Sequence, residues 1–102
     1  MIVFNDIIFS IIDYIRTDSN LTISSIENYD NKKLAVALDL PNKSALMIEI
    51  LPNGVCDLFV IDDKSDEYPF FNSSAFESVQ ELESHVFKFI SDFKDYPNLA
   101  RV

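Results

Sequence analysis

The sequence predicts a single α+β domain, in which an N-terminal helix, an antiparallel β-meander of four to five strands and a C-terminal helix pack in two layers. Apolar residues recur at helical spacing near both ends of the chain. Between them, apolar and polar residues alternate with a period of two, and short turn sequences separate the alternating runs. Because 102 residues supply one modest hydrophobic core, residues 1–102 are interpreted as one domain.

Residues 2–16 predict the first helix. Polar side chains at Asp6, Ser10, Asp13 and Thr17 share one face, and the rest of the circumference is mostly apolar. This surface is rich in Ile, whose helix propensity is middling, so tertiary packing must hold the helix. We expect a deeply buried helix, and the alternative is an interface for an oligomer or a partner.

Four strands are predicted next, from Leu21 to about Tyr29 and over 34–40, 45–50 and 55–61. Pro52-Asn53-Gly54 predicts a tight hairpin, with Pro at the second turn position and Gly where a positive φ is needed. A fifth, irregular strand is expected from Tyr68 to Asn72, where Pro69 indicates an edge position. One phase of the central strands is uniformly apolar: Leu34, Val36, Leu38, Leu40, Leu46, Ile48, Ile50, Cys56, Leu58 and Val60.

The last helix begins at a capping box, Ser78-Val79-Gln80-Glu81, in which Ser and Glu satisfy exposed amides reciprocally. Apolar residues then recur at spacings of three and four, and Pro97 closes the helical region. We expect both helices on one face of a curved sheet. The apolar positions of this helix are Leu82, Val86, Phe89, Ile90 and Phe93.

The charge is strongly negative, with 17 acidic against 8 basic residues and a net charge of −9. This argues against direct binding of nucleic acid or an anionic membrane, because phosphate binding needs a basic surface. It permits a basic protein partner, such as a nuclease, or simply a soluble surface. The apolar N-terminus follows no basic segment and is interrupted by Asp6, so the cytoplasm is the expected location.

Catalytic and metal-binding patterns are sparse in the sequence. His85 is the only histidine and falls near the core-facing edge of the last helix, as a half-buried residue would. Cys56 is in phase with Leu58 and Val60, which predicts a buried, inert thiol. We therefore expect no enzyme, no cofactor and no metal site.

A run of acids follows the fourth strand and leads into aromatic residues. It lacks the ligand alternation and bend glycine of a calcium loop, and no pocket pattern surrounds it. It is either a solvated hairpin tip or a patch for Lys and Arg side chains of a partner. Phe70 and Phe71 must point to opposite faces, so one of them can anchor an interface. The candidate partner-binding residues are Asp57, Asp62, Asp63, Asp66, Glu67, Tyr68 and Phe71.

The second half of the chain contains the stretch Asn53-Gly54-Val55-Cys56-Asp57-Leu58-Phe59-Val60-Ile61-Asp62, followed by an acidic turn and an aromatic strand. The last helix is then opened by Phe76-Glu77-Ser78-Val79-Gln80-Glu81-Leu82. This pattern resembles the TriTu-type immunity proteins. These are small antitoxins of bacterial contact-dependent growth inhibition and polymorphic toxin systems. The family combines an N-terminal helix, a β-meander with a Gly-x-Cys-Asp strand and a final amphipathic helix. The resemblance covers nearly the whole chain, by pattern rather than residues in the N-terminal half, and carries over Gly54, Cys56 and Asp57.

This resemblance implies a non-enzymatic protein that binds and blocks the C-terminal toxin domain of a cognate surface protein. Toxins of such systems include tRNA-cleaving nucleases that work with elongation factor Tu, which this chain would meet only through the toxin. The alternative is a small acidic secretion chaperone or adaptor that binds a protein client, which the broad apolar surface of the first helix favours.

Overall fold

The protein is described from a computed structural model, which covers residues 3–18, 21–40, 43–62 and 67–94. Its helical and alternating patterns form the predicted α+β fold, with a helix at each end of five strands. The elements in chain order are α1 (Phe4–Asp18), β1 (Thr22–Asn28), β2 (Leu34–Asp39), β3 (Ser44–Ile50), β4 (Val55–Asp62), β5 (Glu67–Ala75) and α2 (Val79–Phe93).

The strands form one antiparallel sheet in the order β1-β2-β3-β4-β5, so every neighbour in the sheet is also a neighbour in sequence. This confirms the meander and places Pro69 in an edge strand, at the register shift between its neighbours Glu67 and Phe70, a position where a proline is tolerated. β5 extends to Ala75 rather than ending near Asn72. Its last residues, Ser73, Ser74 and Ala75, show no apolar alternation but continue the ladder, in which Ala75 pairs with Val55.

One face of the sheet carries the hydrophobic core. The register aligns Val36 with Ile48 and Ile48 with Leu58, so the uniformly apolar phase of three strands meets on a single face. These side chains are fully or almost fully buried, as are the inward stripes of both helices. The predicted inward phase and the two-layer packing are therefore confirmed.

α1 contributes one buried stripe of Phe4, Ile7, Ile11 and Ile15, at spacings of three and four. The expectation of a deeply buried helix is wrong for the rest of its surface, since Phe9 keeps 74% of its surface exposed. The physical reason is the two-layer architecture, in which a helix meets the sheet along one side only.

α2 starts at the predicted cap, where the Ser78 Oγ accepts a hydrogen bond of 3.1 Å from the Glu81 amide. Phe89 of α2 stacks on Phe70 of β5, with ring centroids 5.6 Å apart, and so joins the helix to the sheet. The inward residues of α2 are Leu82, Val86, Phe89 and Ile90.

Candidate functional site

Both helices lie on the core side of the sheet, and the opposite side carries no helix of the described chain. We call this second side the open face. Since strand side chains alternate, it is built from the strand residues that are out of phase with the core. By register these are Thr22, Ser25, Glu27, Ala35, Ala37, Asp39, Ala45, Met47, Glu49, Val55, Asp57, Phe59, Ile61, Phe71, Ser73 and Ala75.

An apolar row crosses the open face at right angles to the strands. Ala37 pairs with Met47, Met47 with Phe59 and Phe59 with Phe71, so four strands each contribute one residue. The rings of Phe59 and Phe71 stack with centroids 5.9 Å apart at an interplanar angle of 29°. Phe71 keeps 61% of its surface exposed. The apolar row therefore ends in an aromatic side chain available to a partner.

An acidic row runs parallel to the apolar row, at a distance of two residues along the strands. It contains Glu27, Glu49 and Asp57, and Glu49 lies directly opposite Asp57 in the antiparallel ladder. The Lys33 Nζ lies 3.1 Å from the Glu49 Oε2. Asp57 has neither a hydrogen bond nor an ion pair from its side chain to any residue in the described ranges. Two like charges thus face each other across the strands, and one of them, Glu49, is paired with Lys33.

The structure brings some of the predicted partner-binding residues together and separates others. Asp57 and Phe71 share the open face and are diagonal neighbours, because Asp57 pairs with Ser73 and Phe59 pairs with Phe71. Asp62 pairs with the buried Ser44 and is in phase with Val60, so strand alternation turns it toward the helix layer instead.

The remaining predicted residues are less fully described. Glu67 begins β5, where its backbone pairs with Asp62, and Tyr68 follows it. The side chains of these two residues lie outside the described part of the chain, and so do Asp63 and Asp66 entirely.

Sequence reasoning missed Met47, Phe59 and Glu49 as surface candidates. The signal was present, because the second phase of β3 and β4 mixes large apolar residues with acids. A sheet face covered by helices is expected to be uniformly apolar, whereas protein interfaces combine apolar and charged residues.

Cys56 is fully buried at the inward side of β4, as predicted. Burial, with a smaller contribution from the charge of Asp57, raises the pKa of its thiol to about 12. The thiol is therefore protonated near neutral pH, which removes the thiolate that nucleophilic catalysis requires.

His85 is half-buried, as predicted, and faces β5 from α2. Its Nε2 lies 3.2 Å from the Asn72 Oδ1, and its ring contacts Phe76 with centroids 4.8 Å apart. Burial, and secondarily the charge of Lys88, lowers the pKa of the imidazole below its ordinary value. The ring joins α2 to β5, and its Nε2–H donates to the Asn72 amide oxygen in the neutral state.

Within the described ranges, no group of three or more His, Cys, Asp or Glu side chains is arranged to hold a metal ion. None of the helices there is both long and apolar enough to cross a membrane. The open face, where the exposed Phe71 lies near an acidic row, is the candidate site. The chain matches no family model, no curated protein and no solved structure in the comparisons.

Proposed function

We propose that this chain is an immunity protein, a non-enzymatic cytoplasmic protein that binds and neutralises the C-terminal nuclease toxin domain of a contact-dependent growth inhibition system. The observation that carries the proposal is the open face, where the exposed ring of Phe71 is a diagonal neighbour of Asp57, whose carboxylate has no ion pair within the described ranges. Exposed aromatic residues beside charged groups are typical of protein interfaces that combine affinity with fast association.

The charge of the chain supports a nuclease as the target. A nuclease holds its substrate on a cationic surface, and a protein of net charge −9 is attracted to such a surface over several ångströms in solution. A tRNA-cleaving ribonuclease is the toxin class that the resemblance favours. Elongation factor Tu would then enter the complex through the toxin.

The surroundings of Cys56 and His85, the two side chains most able to act in catalysis, favour a binding role for the protein over an enzymatic one. The Cys56 thiol is buried among core residues, and the His85 ring is held against Asn72 and Phe76. The thiol has no solvent access. The imidazole lines an open surface pocket with Glu81, Ser84 and Lys88, but its hydrogen bond goes to the Asn72 amide and not to the hydroxyl or carboxylate that acyl transfer or acid–base catalysis would pair with it.

The test is co-expression with a candidate toxin C-terminal domain of a contact-dependent growth inhibition system. Rescue of growth and co-purification of a stable 1:1 complex are expected, and a toxin domain from an unrelated system serves as the specificity control. If the cells die and the two proteins elute separately, the proposal is wrong for that pair.

A second candidate is the small acidic secretion chaperone or adaptor, which the exposed apolar residues of α1 favour. Phe9 of α1 lies outside the buried stripe and keeps 74% of its surface exposed, and Val3, just before the helix, keeps 53%. Chaperones of this kind use exposed apolar surface to hold a client. Light scattering distinguishes the two, since a stable dimer favours the chaperone and a monomer the immunity protein.

A further inference from the structure

We infer that the open face is the surface that docks the toxin domain, and that it fits a partner surface with an apolar ridge flanked on one side by Lys or Arg. This inference rests on the proposed function and specifies the interface that the function uses. It replaces the acids after β4 as the centre of binding with the apolar and acidic rows of the sheet.

The dimensions of the two rows define what can bind. The apolar row runs from Ala37 on β2 to Phe71 on β5 and crosses three gaps between strands, a length of about 14 Å. The acidic row is displaced by two residues along each strand, which is about 7 Å. A matching partner therefore presents its cations at about that distance from its apolar ridge.

The charges of the open face select a cationic partner. Among the residues that the structure describes, the face carries the four carboxylates of Glu27, Asp39, Glu49 and Asp57 against the ammonium group of Lys33. Glu49 and Asp57 oppose each other directly, an arrangement that costs a free sheet some stability. A Lys or Arg of the partner placed between these carboxylates relieves that repulsion in the complex, so the cost is recovered on binding.

The other occupants fit less well. A second copy of the chain would set carboxylates against carboxylates across a two-fold axis, between molecules that each carry a charge of −9. The groove between α1 and α2 also contains acids, Asp13 and Glu83, but its floor is closed by Tyr14 and Phe87, whose rings stack 4.5 Å apart. That groove therefore lacks an exposed apolar anchor of its own.

The experiment uses the full chain and the toxin domain of the growth-rescue test, with affinity and association rate measured at low and high salt. Phe71→Ser removes the exposed anchor. The pair Glu49→Gln and Asp57→Asn removes two charges with little change of shape. The matched control, Asp13→Asn with Glu83→Gln, removes one Asp and one Glu charge from the helix side of the molecule.

We expect Phe71→Ser to raise Kd by about 30-fold or more, as loss of an aromatic hot spot does. The Glu49/Asp57 pair should slow association and reduce its salt dependence, while its midpoint of thermal unfolding stays equal to or above that of the wild type. The control should bind as the wild type does. A retained unfolding midpoint separates lost contact from lost folding.

Wild-type-like binding by both open-face variants overturns this inference and leaves the immunity function standing. Loss of binding by the control alone moves the interface to the helix groove and also overturns it. If the wild-type chain binds no toxin domain, the immunity function and the docking surface both fail, and this outcome is distinguished from the others by the wild type alone.

Discussion

Gly54 is the single glycine of the chain, and replacing it with Ala should destabilise the fold strongly. Its φ is +93°, in a region that residues with a Cβ rarely adopt. A Cβ at this position would lie 2.0 Å from the backbone oxygen of Phe76. That neighbour is main chain, and the Phe76 amide donates a hydrogen bond of 3.0 Å to the Gly54 oxygen, so neither side can move away freely.

The magnitude follows from two costs. Holding a non-glycine residue in this conformation costs about 1–3 kcal/mol. Making room for the methyl group against fixed backbone costs about 1–3 kcal/mol more, comparable to overpacking a core. Gly54→Ala should therefore lose about 2–6 kcal/mol of unfolding free energy, a large part of the roughly 5–15 kcal/mol that a domain of this size has. The melting temperature should fall by at least about 10 °C.

Urea unfolding followed by circular dichroism measures this loss, and Asn53→Ala is the matched control. Asn53 is exposed in the same turn, and its Oδ1 accepts a hydrogen bond of 3.2 Å from the Val55 amide. The control should lose about 0.5–1.5 kcal/mol. Equal stabilities of the two variants would refute the steric argument, because the turn would then tolerate a Cβ at Gly54.

Three further predictions concern single groups. The Cys56 thiol, whose pKa burial raises to about 12, should resist a thiol-reactive dye at pH 8 until urea unfolds the chain. Because the thiol of the unfolded chain ionises at a lower pH, the free energy of unfolding should fall above about pH 9 by up to about 1.4 kcal/mol per pH unit. Cys56→Ala should abolish this pH dependence. Rapid labelling of the folded protein would contradict this. The pKa of His85, measured by NMR titration, should lie below 6.5, so its contribution to stability is present above pH 6.5 and is lost as the pH falls toward the folded-state pKa; a midpoint above 6.5 would oppose the burial argument. Ser78→Ala should cost about 1 kcal/mol through loss of the α2 cap, whereas the exposed Ser84→Ala should cost nothing measurable by chemical denaturation.

The elements of the fold follow from local patterns. Alternation in β2, β3 and β4 decides which side chains point inward, and the Ser78 cap marks where α2 begins. The end of β5 was harder to predict, because Ser73, Ser74 and Ala75 have no apolar pattern and are held by pairing with β4. Long-range hydrogen bonding of that kind leaves no local signal.

The candidate site was predictable only in part, for a related reason. Asp57 and Phe71 were found because each stands out locally, but the row that joins Phe71 to Met47 exists only in the register of three strands. Asp57 and Asp62 look like members of one acidic cluster in sequence. The pleat of β4 turns them to opposite faces, and sequence proximity cannot reveal this unless the alternation is followed through both residues.

β4 links the folding of the sheet to the proposed docking surface, because its side chains alternate between the core and the open face. Gly54 permits the turn that sets the register, and Cys56, two residues later, is buried in the core. Asp57 is then obliged to face outward, since a slip of one residue would bury its carboxylate and expose the core. The register that buries the core thus also fixes which residues form the open face, so the proposed docking surface is formed by folding itself. Asp57→Asn should therefore weaken toxin binding without loss of stability, whereas Gly54→Ala should lose stability first.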